Sequence, residues 1–516
     1  MAMVRHLFTV SGFTGISRLL GFARDILIAA VLGTGPAADA FFVAFRIPNA
    51  FRRLFAEGAF NAAFVPLYAR RLEAEGAAGA RLYAQDVLSV LLAALAVLTV
   101  AAVAAMPWLM HGLAPGFAAD PAKFDQAVAL SRLTFPYLLF MALVALYGGI
   151  LNSLYRFAAF AAAPILLNVF FIVALGAVVP FTGAPAQVLA WTVTLAGIGQ
   201  FLMLVWAARR AGVDLALPRP RLTPGVRRTL RLMGPGVVSA GALQINILVG
   251  TVIASLQAGA VSYLYYADRV YQLPLGLIGI AFGVVLLPDL ARKLRAGADT
   301  AAMASLNRGL ELSMLLSLPA AVALLVIPAP IITVLFERGA FDATAALATA
   351  RALAAFALGV PAYVLVKILQ PAFYAREDTV RPLHATLAAM GANVALALAL
   401  FPVLGHVGIA LATAVAAWLN VGLLGLWLRR AGYLHLDSRA RRRLPRIAAA
   451  SAGMGAALWS LDRLWLTDWI AAGEIWGIAG LALLVAGGLA LYTGLSVLTG
   501  AADPREVRGW TRTGSR

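Results

Sequence analysis

Fourteen apolar runs, each about long enough to cross the hydrocarbon core of a bilayer as a helix, recur along these 516 residues. No backbone polar group can stay unpaired in lipid, so a spanning chain must form helices or a closed barrel, and runs near 20 residues select helices. The approximate spans are 5–32, 37–69, 83–107, 127–151, 158–180, 186–208, 232–256, 260–290, 309–329, 345–368, 382–402, 407–428, 446–463 and 473–499. The first, second and eighth are longer than a crossing needs and contain Gly or Pro, so they are expected to bend. With 62% hydrophobic and 12% charged residues, the composition excludes an ordinary soluble enzyme. The absence of cysteine removes disulfides, thiolate metal sites and cysteine nucleophiles together.

The loops set an orientation. If the N-terminus is cytoplasmic, 29 of the 41 basic residues fall on inside segments and five in outside loops or their adjoining helix ends, Lys123 among them. That bias predicts a multi-pass protein with both termini in the cytoplasm. It also accounts for most of the formal charge of +18. Basic runs such as Arg439 to Arg443 lack interleaved aromatics and sit where topology requires positive charge, so no nucleic-acid partner is expected. The N-terminal run, interrupted by Gly12, Gly15 and Arg18, reads as a retained first helix, not as a cleaved leader.

The second and eighth crossings end alike. Ala59-Phe60, Pro66 and Ala69-Arg70-Arg71-Leu72 recur 222 residues later as Ala281-Phe282, Pro288 and Ala291-Arg292-Lys293-Leu294. Six crossings separate the two copies and return the chain to the same side, so the halves are expected to be parallel repeats. The expected fold is therefore all-α and integral to the membrane: two six-helix lobes in parallel pseudo-repeat around a central cavity, plus two extra C-terminal helices. The N-lobe takes residues 1–216, the C-lobe 217–431, and crossings 13 and 14 with a cytoplasmic tail 432–516.

Charge inside the first two crossings singles out a candidate site. Arg18, Arg24, Asp25, Asp39, Arg46, Arg52, Arg53 and Glu57 all lie where lipid is expected. Facing lipid, eight charges would cost on the order of 20 kcal/mol, so they must face water, one another or a ligand. On a helical wheel Asp39, Arg46, Arg53 and Glu57 form one stripe if the bend at Pro48 keeps phase, while Arg52 lies about 100° away. Five arginines against three carboxylates leave two surplus positive charges, and Asp268 with Arg269 adds a neutral pair. Guanidinium groups offer forked donors matched to phosphate, so the surplus suits an anion. The competing reading, interhelix salt bridges that lock a lobe, weighs most for Asp25 and Arg46.

Other features are weaker. Tyr263, Tyr265 and Tyr266 suit a sugar, though packing is the commoner use of such a cluster. Lys367 reads as a snorkelling lysine, and Glu311 as a residue at a helix start facing the cytoplasmic boundary. The five histidines lack ligand spacing, so no metal site is expected. Phosphate-cradling, zinc-protease and serine-hydrolase motifs are absent, and no catalytic residue is assigned; a transporter is the expected class.

The run from Ser11 to Asp25, Ala38-Asp39-Ala-Phe-Phe, and Phe45-Arg46-Ile-Pro48-Asn49-Ala-Phe-Arg52-Arg53-Leu-Phe-Ala-Glu57 closely resemble the MurJ/MviN family, as does Tyr265-Tyr266-Ala267-Asp268-Arg269. The resemblance implies a lipid II flippase of the bacterial cytoplasmic membrane, within the multidrug/oligosaccharidyl-lipid/polysaccharide exporter superfamily. It implies alternating access and a cationic cavity for an undecaprenyl-diphosphate-linked disaccharide-pentapeptide. Arg24, Arg52 and Arg269 would contact the diphosphate region, which requires the Pro48 bend to turn Arg52 inward. Arg18 and Arg53 complete the binding set, with Asp25, Asp39, Asn49, Glu57 and Asp268 supporting the cavity. Crossings 13 and 14 would form a groove for the lipid tail. No cofactor is expected, and coupling to membrane potential or to a monovalent ion stays open. The chain is expected to act as a monomer among membrane lipids, with association with the cell-wall synthesis machinery left open. An exporter of another polyprenyl-diphosphate-linked glycan is the alternative.

Overall fold

A computed structural model describes residues 2–56 and 59–503, with side chains described outside 2–11, 51–59, 235–243, 245, 277, 279–285, 465–467 and 471. The described residues contain helices and no strand. Nine helices among them are long and apolar enough to cross a membrane. The expected crossings outside those nine are the first, second, seventh, eighth and thirteenth, and each is helical over its described part. The first two and the eighth carry arginine and carboxylate inside the run, which is what sets them apart from ordinary lipid-facing segments.

Packing groups the chain into two units, Met1–Ser262 with Arg338–Phe341, and Tyr263–Glu337 with Asp342–Arg516. In the first unit the helices are α1 (Ala2–Leu32), α2 (Pro36–Ala56), α3 (Ala59–Ala104), α4 (Met106–Leu113), α5 (Pro121–Thr134), α6 (Tyr137–Ser153), α7 (Ala158–Val173), α8 (Pro185–Arg210) and α9 (Pro224–Ser255). Helix α2 packs on α7 through aromatic rings: Phe41 and Phe45 both meet Phe171 edge-on, at centroid distances of 6.4 and 5.9 Å.

Helix α3 is broken at Gly76, where φ is 69° and ψ is −170°. A straight helix would hold Phe64 and Tyr83 roughly 28 Å apart, yet their rings stack at 5.6 Å. The chain therefore doubles back at Gly76, and a glycine is needed there because a side chain is strained at positive φ. The connection expected at 70–82 is thus helical up to a single-residue break. Helix α9 joins this hairpin: Tyr83 donates to the Thr229 hydroxyl at 2.6 Å, and Thr229 in turn donates to the Gly225 carbonyl.

The second unit holds α10 (Ala260–Arg295, whose first three residues group with the first unit), α11 (Asp299–Val326), α12 (Pro328–Phe336), α13 (Ala343–Ala357), α14 (Val360–Tyr374), α15 (Val380–Leu404), α16 (His406–Arg430), α17 (Ser438–Leu461), α18 (Thr467–Ala471) and α19 (Glu474–Leu498). Leu286 and Leu290 of α10, Leu306 and Leu310 of α11, Ile368 of α14 and Leu424 and Leu428 of α16 form one buried core. Aspartates cap several helices in both units: Asp120 opens α5, Asp342 opens α13 and Asp437 opens α17, each accepting backbone N–H groups of the first turn. Apolar stripes face outward, as with Trp191, Leu195, Leu202 and Trp206 on α8, a surface suited to lipid contact. Pro66 and Pro288, the matched prolines of the sequence repeat, both lie inside helices.

Candidate functional site

The charges of α1 are organised by Arg24. Its Nε and Nη2 both donate to Oδ1 of Asp25, at 3.0 and 2.7 Å, and its Nη1 donates to Oδ1 of Asn168 at 3.0 Å. The guanidinium also lies 5.4 Å from the centre of the Phe171 ring. Asn168 on α7 turns its amide to serve both sides, donating to the Ser17 carbonyl at 2.9 Å. Gly21 of α1 faces that amide, and a Cβ there would make an ordinary contact with Asn168 Nδ2 at 3.5 Å. Arg24 and Asp25 are both buried, and Arg18, two turns before Asp25 on α1, is exposed.

On α2 the polar stripe divides. Asp39 is fully buried, and both of its oxygens are used. Oδ1 accepts from the backbone N–H and hydroxyl of Ser262, at 3.0 and 2.6 Å; Oδ2 accepts from the Gly259 N–H at 2.9 Å and from Lys123 Nζ at 2.7 Å. The carboxylate thus sits at the N-terminus of α10, where the orphan N–H groups and the helix dipole both favour negative charge. Lys123, expected among the outside-loop cations, has a side chain only 7% exposed, with its ammonium 4.1 Å from the Phe117 ring centre. It follows the Asp120 cap into the protein and neutralises Asp39. Two turns along α2, Arg46 Nη1 donates to the Thr251 hydroxyl of α9. Asn49 is half-buried. Arg52 and Arg53 belong to α2, but their side chains lie outside the described residues, as does Glu57 altogether.

In the second unit, Arg269 places its guanidinium 4.7 Å from the centre of the Tyr265 ring, and Gln272 donates to Asp268. Tyr265 and Tyr266 are buried and meet edge-on, and Tyr266 packs on Phe336. Tyr263 pairs with the His406 ring at 5.0 Å.

Glu311 does not stand at a helix start: α11 begins at Asp299, because Asn307 and Arg308 continue a helix whose buried face is Ala302, Leu306 and Leu310. Glu311 is therefore three turns in, buried, and receives Arg308 Nη1, Arg439 Nε and Arg443 Nη1 on its Oε2, at 3.3, 3.1 and 3.5 Å. Lys123, Asn168 and Glu311 were the residues that sequence reasoning missed. The one usable signal for Lys123 was a lysine three residues after a helix-capping aspartate; Asn168 and Glu311 gave none beyond being polar inside an apolar run.

A family model described as "Lipid II flippase MurJ" matches residues 28–480. A "Probable lipid II flippase MurJ" of Rhizobium tropici is 46% identical over 516 aligned residues, covering 98% of this chain and 96% of the relative. A "Lipid II flippase MurJ" of Burkholderia cenocepacia is 39% identical, covering 84% and 85%. Among solved structures, "Lipid II flippase MurJ, inward closed conformation" aligns with a TM-score of 0.77 at 24% identity, covering 95% of this chain and 98% of that one. An inward-facing multidrug transporter of the MATE family aligns with a TM-score of 0.68 at 17% identity, covering 80% and 94%, a likeness of fold.

Proposed function

The chain belongs to the MurJ lipid II flippase family, and we propose that it carries lipid II, the polyprenyl-diphosphate-linked peptidoglycan precursor, from the inner to the outer leaflet of a bacterial cytoplasmic membrane. The observation that carries the proposal is 46% identity to a relative named for that activity, extending over 98% of the chain. The catalysed event is a translocation, with no bond made or broken, so the protein's work is to lower the cost of moving a diphosphate and its sugars through a low-dielectric layer.

Two six-helix lobes open alternately to each side in this reading, with both termini in the cytoplasm. Arg24, Arg52 and Arg269 take the diphosphate, with Arg18 and Arg53 adding to the positive field. Arg24 engages through three N–H donors that Asp25 and Asn168 hold in place. A diphosphate competes with the Asp25 carboxylate for those donors, so binding exchanges one anionic partner for another and avoids stranding a buried guanidinium. Asp39 acts at a distance from the headgroup: tied to Lys123, Gly259 and Ser262, it positions α2 and the start of α10. Helices α17 and α19 supply the groove for the polyprenyl tail. Membrane potential acts directly on a cationic cavity, at about 2.3 kcal/mol per elementary charge per 100 mV, and is the proposed source of drive.

Depleting the protein in its own cell and tracing lipid-linked precursors tests the assignment. Accumulation of lipid II on the inner leaflet is expected. Normal wall synthesis together with loss of a different surface glycan would assign the chain to that glycan instead.

A further inference from the structure

Pro48 lies inside α2, and a proline inside a helix both bends it and leaves the carbonyl four residues earlier without its usual N–H donor. In α2 that carbonyl belongs to Ala44, a buried residue. The hydroxyl of Thr134, the last residue of α5, donates to it at 2.9 Å. Thr134 is buried as well, so neither group can turn to bulk water instead.

This bond differs from the ordinary back-bond of a helical threonine. The same hydroxyl lies 3.3 Å from the Ser131 carbonyl of its own helix, but that carbonyl already receives the Phe135 N–H at 2.9 Å. Distance and need both favour Ala44. The neighbouring Leu133 carbonyl receives the Thr194 hydroxyl of α8 at 2.6 Å, which ties the last turn of α5, and Thr134 with it, to a further helix. The second unit uses the same device. Pro319 lies inside α11, four residues after Leu315, and the Leu315 carbonyl receives the Tyr492 hydroxyl of α19 at 2.7 Å. In both places a hydroxyl from another helix stands in for the N–H that an interior proline lacks, which is how a membrane helix tolerates proline.

Arg52 and Arg53 follow Pro48 by about one turn of α2, so the bend sets the direction in which the helix carries them. We propose that Thr134 is a positioning residue for transport: by serving the Ala44 carbonyl it fixes the bend of α2 at Pro48 and thereby the placement of Arg52 and Arg53. The inference rests on the reading that Arg52 meets the diphosphate of the cargo.

The test compares Thr134→Val, which keeps the shape of the side chain and drops the hydroxyl, with Thr134→Ser, which keeps the hydroxyl. The chain has no cysteine, so Arg52→Cys introduces a single thiol whose labelling by a charged maleimide can be timed on the full chain in detergent. Thr134→Val is expected to slow that labelling several-fold and Thr134→Ser to leave it unchanged, while a thiol ahead of the proline, Ala37→Cys, labels alike in all backgrounds. In equilibrium unfolding of the full chain in mixed detergent micelles, Thr134→Val is expected to lower the folding equilibrium constant at least about fivefold, the worth of one neutral hydrogen bond. Once Pro48→Ala supplies an N–H at residue 48, the same substitution is expected to cost less than about twofold. Lipid II exposure in flippase-depleted cells is expected to fall with Thr134→Val at unchanged protein abundance and to return with Thr134→Ser. Unchanged labelling at residue 52, or an equal cost of Thr134→Val with and without Pro48, overturns the inference. Labelling and unfolding as expected, with no lipid II exposure restored even by the wild-type chain, supports the Thr134 assignment and overturns the cargo alone.

Discussion

Lys123→Met is the sharpest perturbation of the first unit. The substitution keeps the length of the side chain and its contact with Phe117, and removes the ammonium that sits 2.7 Å from a carboxylate with no solvent exposure. Breaking a buried ion pair from one side costs about 3–5 kcal/mol, because the remaining charge is stranded. Asp39 still holds three donors, from Gly259 N–H, Ser262 N–H and the Ser262 hydroxyl, so the loss is expected at the lower end, about 3 kcal/mol. Asp39→Asn is expected at the upper end, about 5 kcal/mol, since it strands the ammonium and turns an amide NH2 toward groups that are themselves donors. The double variant carries neither charge, so its cost should fall short of the sum by about 1–3 kcal/mol. Equilibrium unfolding of the full chain in mixed micelles of mild detergent and SDS, followed by tryptophan fluorescence, reads all three values. A Lys123→Met cost below about 0.5 kcal/mol, or additivity in the double variant, would refute the claim that this pair holds α2, α5 and the start of α10 together.

Further outcomes follow from single contacts. Asn168→Ala removes the amide shared by Arg24 and the Ser17 carbonyl and is expected to cost about 1–3 kcal/mol in the same unfolding assay, with a matching fall in transport. Arg24→Lys keeps the charge but cannot serve Asp25 and Asn168 at once, so complementation of a flippase-depleted strain should fail at near-normal protein abundance. Tyr83→Phe deletes one buried hydrogen bond to Thr229 and should cost about 1 kcal/mol. Gly33→Ala adds a Cβ 2.2 Å from the Ala340 carbonyl oxygen at a φ of +60°, and should lower stability by at least about 1–2 kcal/mol; an unchanged unfolding midpoint would show that this contact does not hold.

The helical class and the charged stretch of α1 and α2 were legible because they rest on local rules: apolar length for crossings, and the cost of charge in lipid for the site. What a charge is doing was not legible, since that depends on partners far along the chain. Asp39 and Arg46 share a wheel face, yet one is neutralised by Lys123, 84 residues away, and the other meets Thr251, 205 residues away. Asn168 lies in a run whose composition marks it as ordinary lipid-facing helix. Gly76 and Glu311 show a different limit: charge and glycine suggested loops at 70–82 and before 309, while amphipathic continuity kept both stretches helical.

The most direct test of the central claim is the fraction of labelled lipid II that a lipid-II-cleaving enzyme, added from outside, can reach in cells whose own flippase has been depleted. Wild-type chain is expected to restore that fraction, and Arg24→Ala, Arg52→Ala and Arg269→Ala each to leave it at the depleted level with the protein still present in the membrane. Full restoration by the three variants, or none by the wild type, would contradict the account.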